Sequence, residues 1–108
     1  MDHPTADAAS TPRFSPPVDL DVPVRRGETA IDKVQVRRPS AGELRGVNIV
    51  QIGQMDVAAL IKVLPRVTQP SLTEAEVAAL DPADFTAVGA ELAGFLLTKQ
   101  QRAEASLD

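Results

Sequence analysis

The sequence predicts an α+β fold in which helix dominates: an N-terminal β-hairpin, then three or four short helices, behind a disordered N-terminal tail. Three observations carry this. Residues 18–38 alternate apolar and polar side chains around a glycine turn, as a hairpin does. Beyond residue 48 the apolar residues return at three- and four-residue spacing, as on helices. Helix-start signals separate the segments: S-x-x-E at Ser40 and Glu43, T-x-x-E at Thr73 and Glu76, and Asp-Pro at 81–82.

The hairpin comes first. "VDLDVPV" (18–24) and "AIDKVQV" (30–36) flank "RRGET", whose Gly27 supplies the turn. Alternation puts Leu20, Val22, Val34 and Val36 on one face, with Asp19 and Asp21 opposite, in cross-strand reach of Lys33 or Arg37. Pro23 has no N–H to give a ladder, so the first strand is expected at a sheet edge. Both a two-residue loop at Gly27-Glu28 and a three-residue loop fit the turn, which leaves the register open.

"RRPSAGELRG" (37–46) then reads as a strand-to-helix joint. Pro39 keeps Arg38 out of the α region, so the strand cannot run straight into a helix. Ser40 and Glu43 have the spacing of a capping box, Leu44 would face inward, and Gly46 is placed to end the turn in a left-handed conformation.

Asp56 can cap a helix with Leu60, Ile61, Leu64 and Val57 inward, which Pro65 is expected to end or kink. "TQPSL" (68–72) reads as a loop. Thr73 and Glu76 open a short helix through Leu80, and Asp81 caps the last one, with Phe85, Val88, Leu92, Phe95 and Leu96 along a single stripe. "KQQRAEASLD" is a polar end. The domain reading is a disordered tail (1–17), one small α+β domain (18–98) and a polar C-terminal tail (99–108).

Composition narrows the function. A net charge of −4 argues against a general nucleic-acid binder. With no cysteine, disulfides, thiolate metal sites and cysteine nucleophiles are excluded. His3, the single histidine, lies in the tail, where it cannot be held against a nucleophile. Nothing resembles a signal peptide, and "FTAVGAELAGFLL" is interrupted by Glu91 and too short to span a membrane, so a soluble, intracellular protein is expected. The acidic cluster of Asp81 and Asp84, with Glu74 and Glu76 nearby, sits where helix starts favour acids and is read as capping. Arg25, Arg26, Arg37 and Arg38 lie at opposite ends of a strand without interleaved aromatics, which suits protection of a sheet edge better than base stacking. Gly89 and Gly94, inside the last helix, are either sites of close helix approach or tolerated small residues. No cofactor or metal site is expected, and no set of residues offers a catalytic mechanism.

Three pieces in order carry a resemblance: an extended stretch into "VQVRRPSAGELRG", a leucine-rich segment closing in "LPRVT", and "LDPADF" opening the last helix. Over Val18 to Leu97 the chain resembles the Mu-like tail assembly chaperones of contractile-tailed phages and related prophages. The resemblance implies a non-enzymatic protein of the host cytoplasm, absent from the finished virion. Its implied partner is the long helical tape measure protein, kept soluble while the tail is built. It also implies a longer frameshifted form of the same chain. Helix-in-groove recognition makes Leu60, Leu64, Phe85, Val88, Leu92 and Phe95 the candidate client-binding residues, with Ser40, Glu43, Thr73, Glu76 and Asp81 as structural caps. The alternatives are a small regulatory or nucleic-acid-binding module and a structural tail or adaptor component.

Overall fold

The structure is a computed structural model that describes residues 13–97. His3, residues 1–12 of the expected tail and the polar C-terminal end lie outside the described residues.

The hairpin forms from β1 (Val18–Arg26) and β2 (Thr29–Val36), antiparallel and closed by the two-residue loop Gly27-Glu28. Gly27 has φ +60°, at the first central position of the turn, where glycine carries no Cβ penalty. The pairing is not continuous. Val18 and Asp19 face Val34 and Lys33, whereas Val24, Arg25 and Arg26 face Ile31, Ala30 and Thr29. Between these runs β1 spends four residues, 20–23, opposite the single residue Asp32.

This bulge breaks the expected alternation. Leu20, Val34 and Val36 are buried as predicted, joined by Ile31, but Val22 is 54% exposed. Register fixes which face a side chain takes, and extra residues on one strand reset it.

A third strand, β3 (Thr68–Gln69), replaces part of the expected 68–72 loop and pairs antiparallel with Gln35 and Val36. The sheet order is β1-β2-β3, which leaves β1, with Pro23, at an edge as expected. Beyond β1 the chain keeps pairing with β2. Phe14 bridges to Arg37, and the Ser15 N–H donates to the Val36 carbonyl at 2.8 Å. The buried Ser15 hydroxyl accepts from the Val36 N–H at 2.9 Å. Residues 13–17, assigned to the tail from their composition, are therefore attached to the sheet by backbone bonds, which composition does not register.

After the hairpin come a 3-10 turn (Ala41–Leu44) and four helices, α1 (Ile49–Gly53), α2 (Val57–Val67), α3 (Glu74–Ala78) and α4 (Pro82–Phe95), with β3 between α2 and α3. Asn48, Asp56, Thr73 and Asp81 each accept a hydrogen bond from an amide in the first turn they precede. Pro65 does not end α2, which continues through Val67; within the last turn, only one helical bond is lost to the ring. The core joins Leu20, Val34 and Val36 of the sheet to Leu60, Val63 and Leu64 of α2 and Val88 and Leu92 of α4. Gly89 lies where α4 crosses α2, and a Cβ there would stand 2.9 Å from Met55 Cε and 3.0 Å from Leu60 Cδ1. Gly94 has open space, so only the first glycine serves a close approach.

Candidate partner-binding surface

The joint at 37–46 is held from outside itself. The Arg37 guanidinium makes a two-pronged ion pair with Glu43, Nη1 to Oε1 at 3.0 Å, and also donates to the Arg66 carbonyl at 3.1 Å. Arg66 in turn donates from Nη1 to the Glu43 and Arg45 carbonyls at 2.8 and 3.0 Å, satisfying the end of the 3-10 turn. Glu43 closes the expected capping box with Ser40, accepting from its N–H at 3.0 Å and from its hydroxyl at 3.4 Å. The Arg37 contact, with the Ser40 N–H next in weight, holds the Glu43 carboxyl down to about 2. Gly46 takes φ +89°, the left-handed conformation expected of it, and Leu44 is buried.

A second clamp joins β1 to α3. Arg26 makes a two-pronged pair with Glu76, Nε to Oε2 at 2.8 Å and Nη2 to Oε1 at 2.7 Å. Glu76 also completes the capping box with Thr73, at 2.9 and 3.0 Å. The Arg26 contact first, then the Thr73 N–H, bring the Glu76 carboxyl to about 2. Arg38 lies over the Phe95 ring, 5.8 Å from its centroid. Edge protection is thus not what Arg26, Arg37 and Arg38 do. Each bonds or stacks against a specific neighbour; Glu43 is near Arg37 in sequence, but the partners of Arg26 and Arg38 are too distant to be anticipated.

The acidic cluster also departs from a uniform capping role. Asp81 caps α4 through the Ala83 N–H at 3.0 Å, as expected. Asp84 is 3% exposed and accepts from the Asp21 and Val22 N–H groups at 2.8 and 3.0 Å. Both donors lie in the 20–23 bulge, whose residues have no partner in the ladder. The carboxylate of one helix therefore holds open the bulge of the edge strand. Oxygens of Asp21, Asp81 and Asp84 lie within 4.8 Å of one another.

The six residues proposed from helical periodicity do not form one surface. Leu60, Leu64, Val88 and Leu92 are fully buried in the core, because α2 and α4 turn these stripes toward each other and the sheet. Phe95 packs at the core margin under Arg38. Phe85 alone lines an open cleft, of about 310 Å³, with Val57, Ile61, Ala78, Leu80 and Pro82. A second cleft, of about 270 Å³, lies between the bulged strand (Val22, Pro23, Val24, Arg25) and Ala75, Glu76, Ala79 and Leu80, so charged side chains line it beside the apolar ones. Leu80 lines both. Val22 at one end and Val57 at the other are 54% and 58% exposed. Val57, expected inward, sits at the first position of α2 and faces out. Neither exposure has a sequence signal: a valine in an alternating strand and one opening an apolar helix both read as core. Among the described residues, no helix is long and apolar enough to cross a membrane.

The model of the family described as phage tail assembly chaperone proteins, E, or 41 or 14, matches residues 17–97. The chain is 52% identical over 79 residues to tail assembly protein E of Escherichia phage P2, covering 73% of this chain and 87% of that protein. It is 50% identical over 82 residues to tail assembly protein E′ of the same phage, covering 76% of this chain and 58% of that protein. The match thus spans less than two thirds of E′. No solved structure matches.

Proposed function

Since this chain belongs to the phage tail assembly chaperone family, we propose that it binds the tape measure protein and keeps it soluble while the tail is built. The observation that carries this reading is the family match across residues 17–97, nearly all of those the structure describes, on a fold with an open apolar cleft. A tape measure is a long run of amphipathic helices whose apolar faces aggregate when uncovered. A small folded domain can cover such a face in a groove between its own elements, then yield to the tube subunits that polymerise around the client. The role is non-enzymatic, exercised in the host cytoplasm, and the chaperone leaves before the virion is complete.

A longer frameshifted form is the second proposed partner. P2 proteins E and E′ match this chain over 79 and 82 residues, but these cover 87% and 58% of their own lengths, so E′ carries more chain outside the match. This suits two products that share one folded domain.

Co-expression with the long helical protein encoded beside it, followed by pull-down and a solubility assay, tests the proposal. The client should become soluble and co-purify with several copies of the chain. A client that stays insoluble with this chain and with its extended product would overturn it. Finding the chain in purified tails by mass spectrometry would make it a structural tail component instead.

A further inference from the structure

The charges of this domain are sorted by end. α2 and α4 run in the same direction. Val57, Pro82 and Phe85 of their first turns share the cleft of about 310 Å³. At their far ends the Val67 carbonyl accepts the Arg37 N–H at 2.7 Å, and Phe95 lies under Arg38. Helix N-termini favour acids and C-termini favour bases, so the two ends collect opposite signs. Asp21, Asp81 and Asp84 cluster at the cleft end, with Asp81 between the lining residues Leu80 and Pro82. Arg13, Arg37, Arg38, Arg45 and Arg66 gather about Glu43 at the other end, the joint. Arg25 and Glu76, in the neighbouring cleft, cancel in sign. Among the described residues, the ion pairs leave Asp21, Asp81, Arg38 and Arg45 without a counter-charge, and Arg38 Nη1 is buried with no acceptor. The 14 residues of α4 set the two ends about 20 Å apart.

Shape divides the same way. One end is an open apolar cleft, with Val57 exposed at its rim and Ala78 and Phe85 in its wall. The other displays Phe14, an aromatic side chain 40% exposed. Its backbone is fixed to the sheet: Phe14 bridges to Arg37, and the Arg13 carbonyl accepts the Arg38 N–H at 2.6 Å.

We propose that copies of this chain dock head to tail, the Phe14 ring of one entering the Val57–Phe85 cleft of the next while Arg13 and Arg38 face its Asp81 and Asp21. Charge and shape together select a second copy as the occupant. A symmetric pair would set Asp81 against Asp81 or Arg38 against Arg38, and like charges repel. A foreign partner of one sign answers one end only, whereas this chain carries both halves of the match. A head-to-tail contact does not close on itself, so it builds a row. The contact is small, one ring with its flanking charges, and a client helix in the same cleft would displace it. Self-docking thus covers the apolar wall until a client arrives. The tape measure reading supplies only the identity of that client; the docking itself is tested on the chain alone.

The chain contains no cysteine, so introduced thiols are unique. Pro16→Cys, exposed beside Phe14, and Ala78→Cys, in the cleft wall, are placed together in the full chain. A bismaleimide too short to join the two sites within one copy should give a ladder of dimers, trimers and longer species on a denaturing gel. Mixed single variants should stop at the dimer, and each alone should stay monomeric. Phe14→Ser, added to the double variant, should cut the ladder at least about fivefold with an unchanged circular dichroism melt. Asp81→Asn, in which asparagine still caps α4, should cut it at least about twofold. Rising salt should weaken it as well. A ladder no stronger than that of Pro16→Cys with Gln51→Cys, on α1 away from the cleft, would overturn the proposal. So would a ladder that Phe14→Ser and Asp81→Asn both leave intact. A dimer formed by either single variant alone would replace it with a symmetric contact. Capture of the tape measure protein is assayed separately, and none of these outcomes decides it.

Discussion

Removing the Asp84 carboxylate should disable the edge strand. In Asp84→Ala the Asp21 and Val22 N–H groups, bound at 2.8 and 3.0 Å, lose their acceptor at a site where the lost side chain was 3% exposed. Hydrogen bonds to a charged group contribute about 1.5–3 kcal/mol each. Two of them, less what water recovers at the half-open strand, give a loss of about 3–5 kcal/mol. A domain of this size has a total stability near the low end of about 5–15 kcal/mol, so a large part of it is at stake. Asp84→Asn retains the shape and one acceptor but turns an NH2 toward a backbone N–H, and should fall between the two. With no Trp or Tyr in the chain, urea unfolding must be followed by far-UV circular dichroism. At a slope of about 1–2 kcal/mol per M, the alanine variant should unfold at least about 1.5 M earlier than the wild type. Amide exchange at residues 21 and 22 should accelerate as well. A loss below about 1 kcal/mol would refute the clamp: water would then serve the bulge equally well, and Asp84 would contribute nothing to the open shape of β1.

Thr73→Ala removes a hydroxyl that accepts from the Glu76 N–H at 3.0 Å and should cost about 1 kcal/mol in urea unfolding. Ser40→Ala should cost less, about 0.5 kcal/mol, because the Ser40 hydroxyl's bond to the Glu43 carboxylate is long, at 3.4 Å. Gly94→Ala, in open space within α4, should raise stability by up to about 1 kcal/mol. Gly89→Ala should not: its Cβ meets the fully buried Leu60 at 3.0 Å, and overpacking of about 1–3 kcal/mol outweighs the gain in helix propensity. Equal effects at the two glycines would refute the close crossing. Acid should destabilise the protein in a defined window. Glu43 and Glu76 titrate at about 2 when folded against 4.5 ordinarily, so their contribution is complete above pH 4.5 and is lost as pH falls toward 2. Urea midpoints across that range should drop in the wild type and drop less in Arg37→Gln, in which Glu43 no longer has its partner.

What the sequence by itself determined lies within about four residues of chain. The caps at Asp56, Thr73 and Asp81, the left-handed glycines at 27 and 46 and the proline-bearing edge strand are set by hydrogen bonds and sterics between near neighbours. So is the order of hairpin before helices. The spacing of motifs also pointed to the family. Tertiary structure alone decided what depends on distant partners. Asp84 reaches its strand amides across 63 and 62 positions, Arg26 reaches Glu76 across 50, and Arg66 reaches the 3-10 turn across 23 and 21. The two-residue β3 was invisible for the same reason: it exists because β2 runs beside it, not because its own residues favour a strand. The surface follows this division. Periodicity reports that a helix has an apolar stripe but not whether the chain's own elements cover it. Leu60, Leu64, Val88 and Leu92 are covered by the sheet and by each other, while Val22 and Val57 are left open by a bulge and a helix start. Burial is a property of where separate segments meet, and that is settled only when the whole chain has packed.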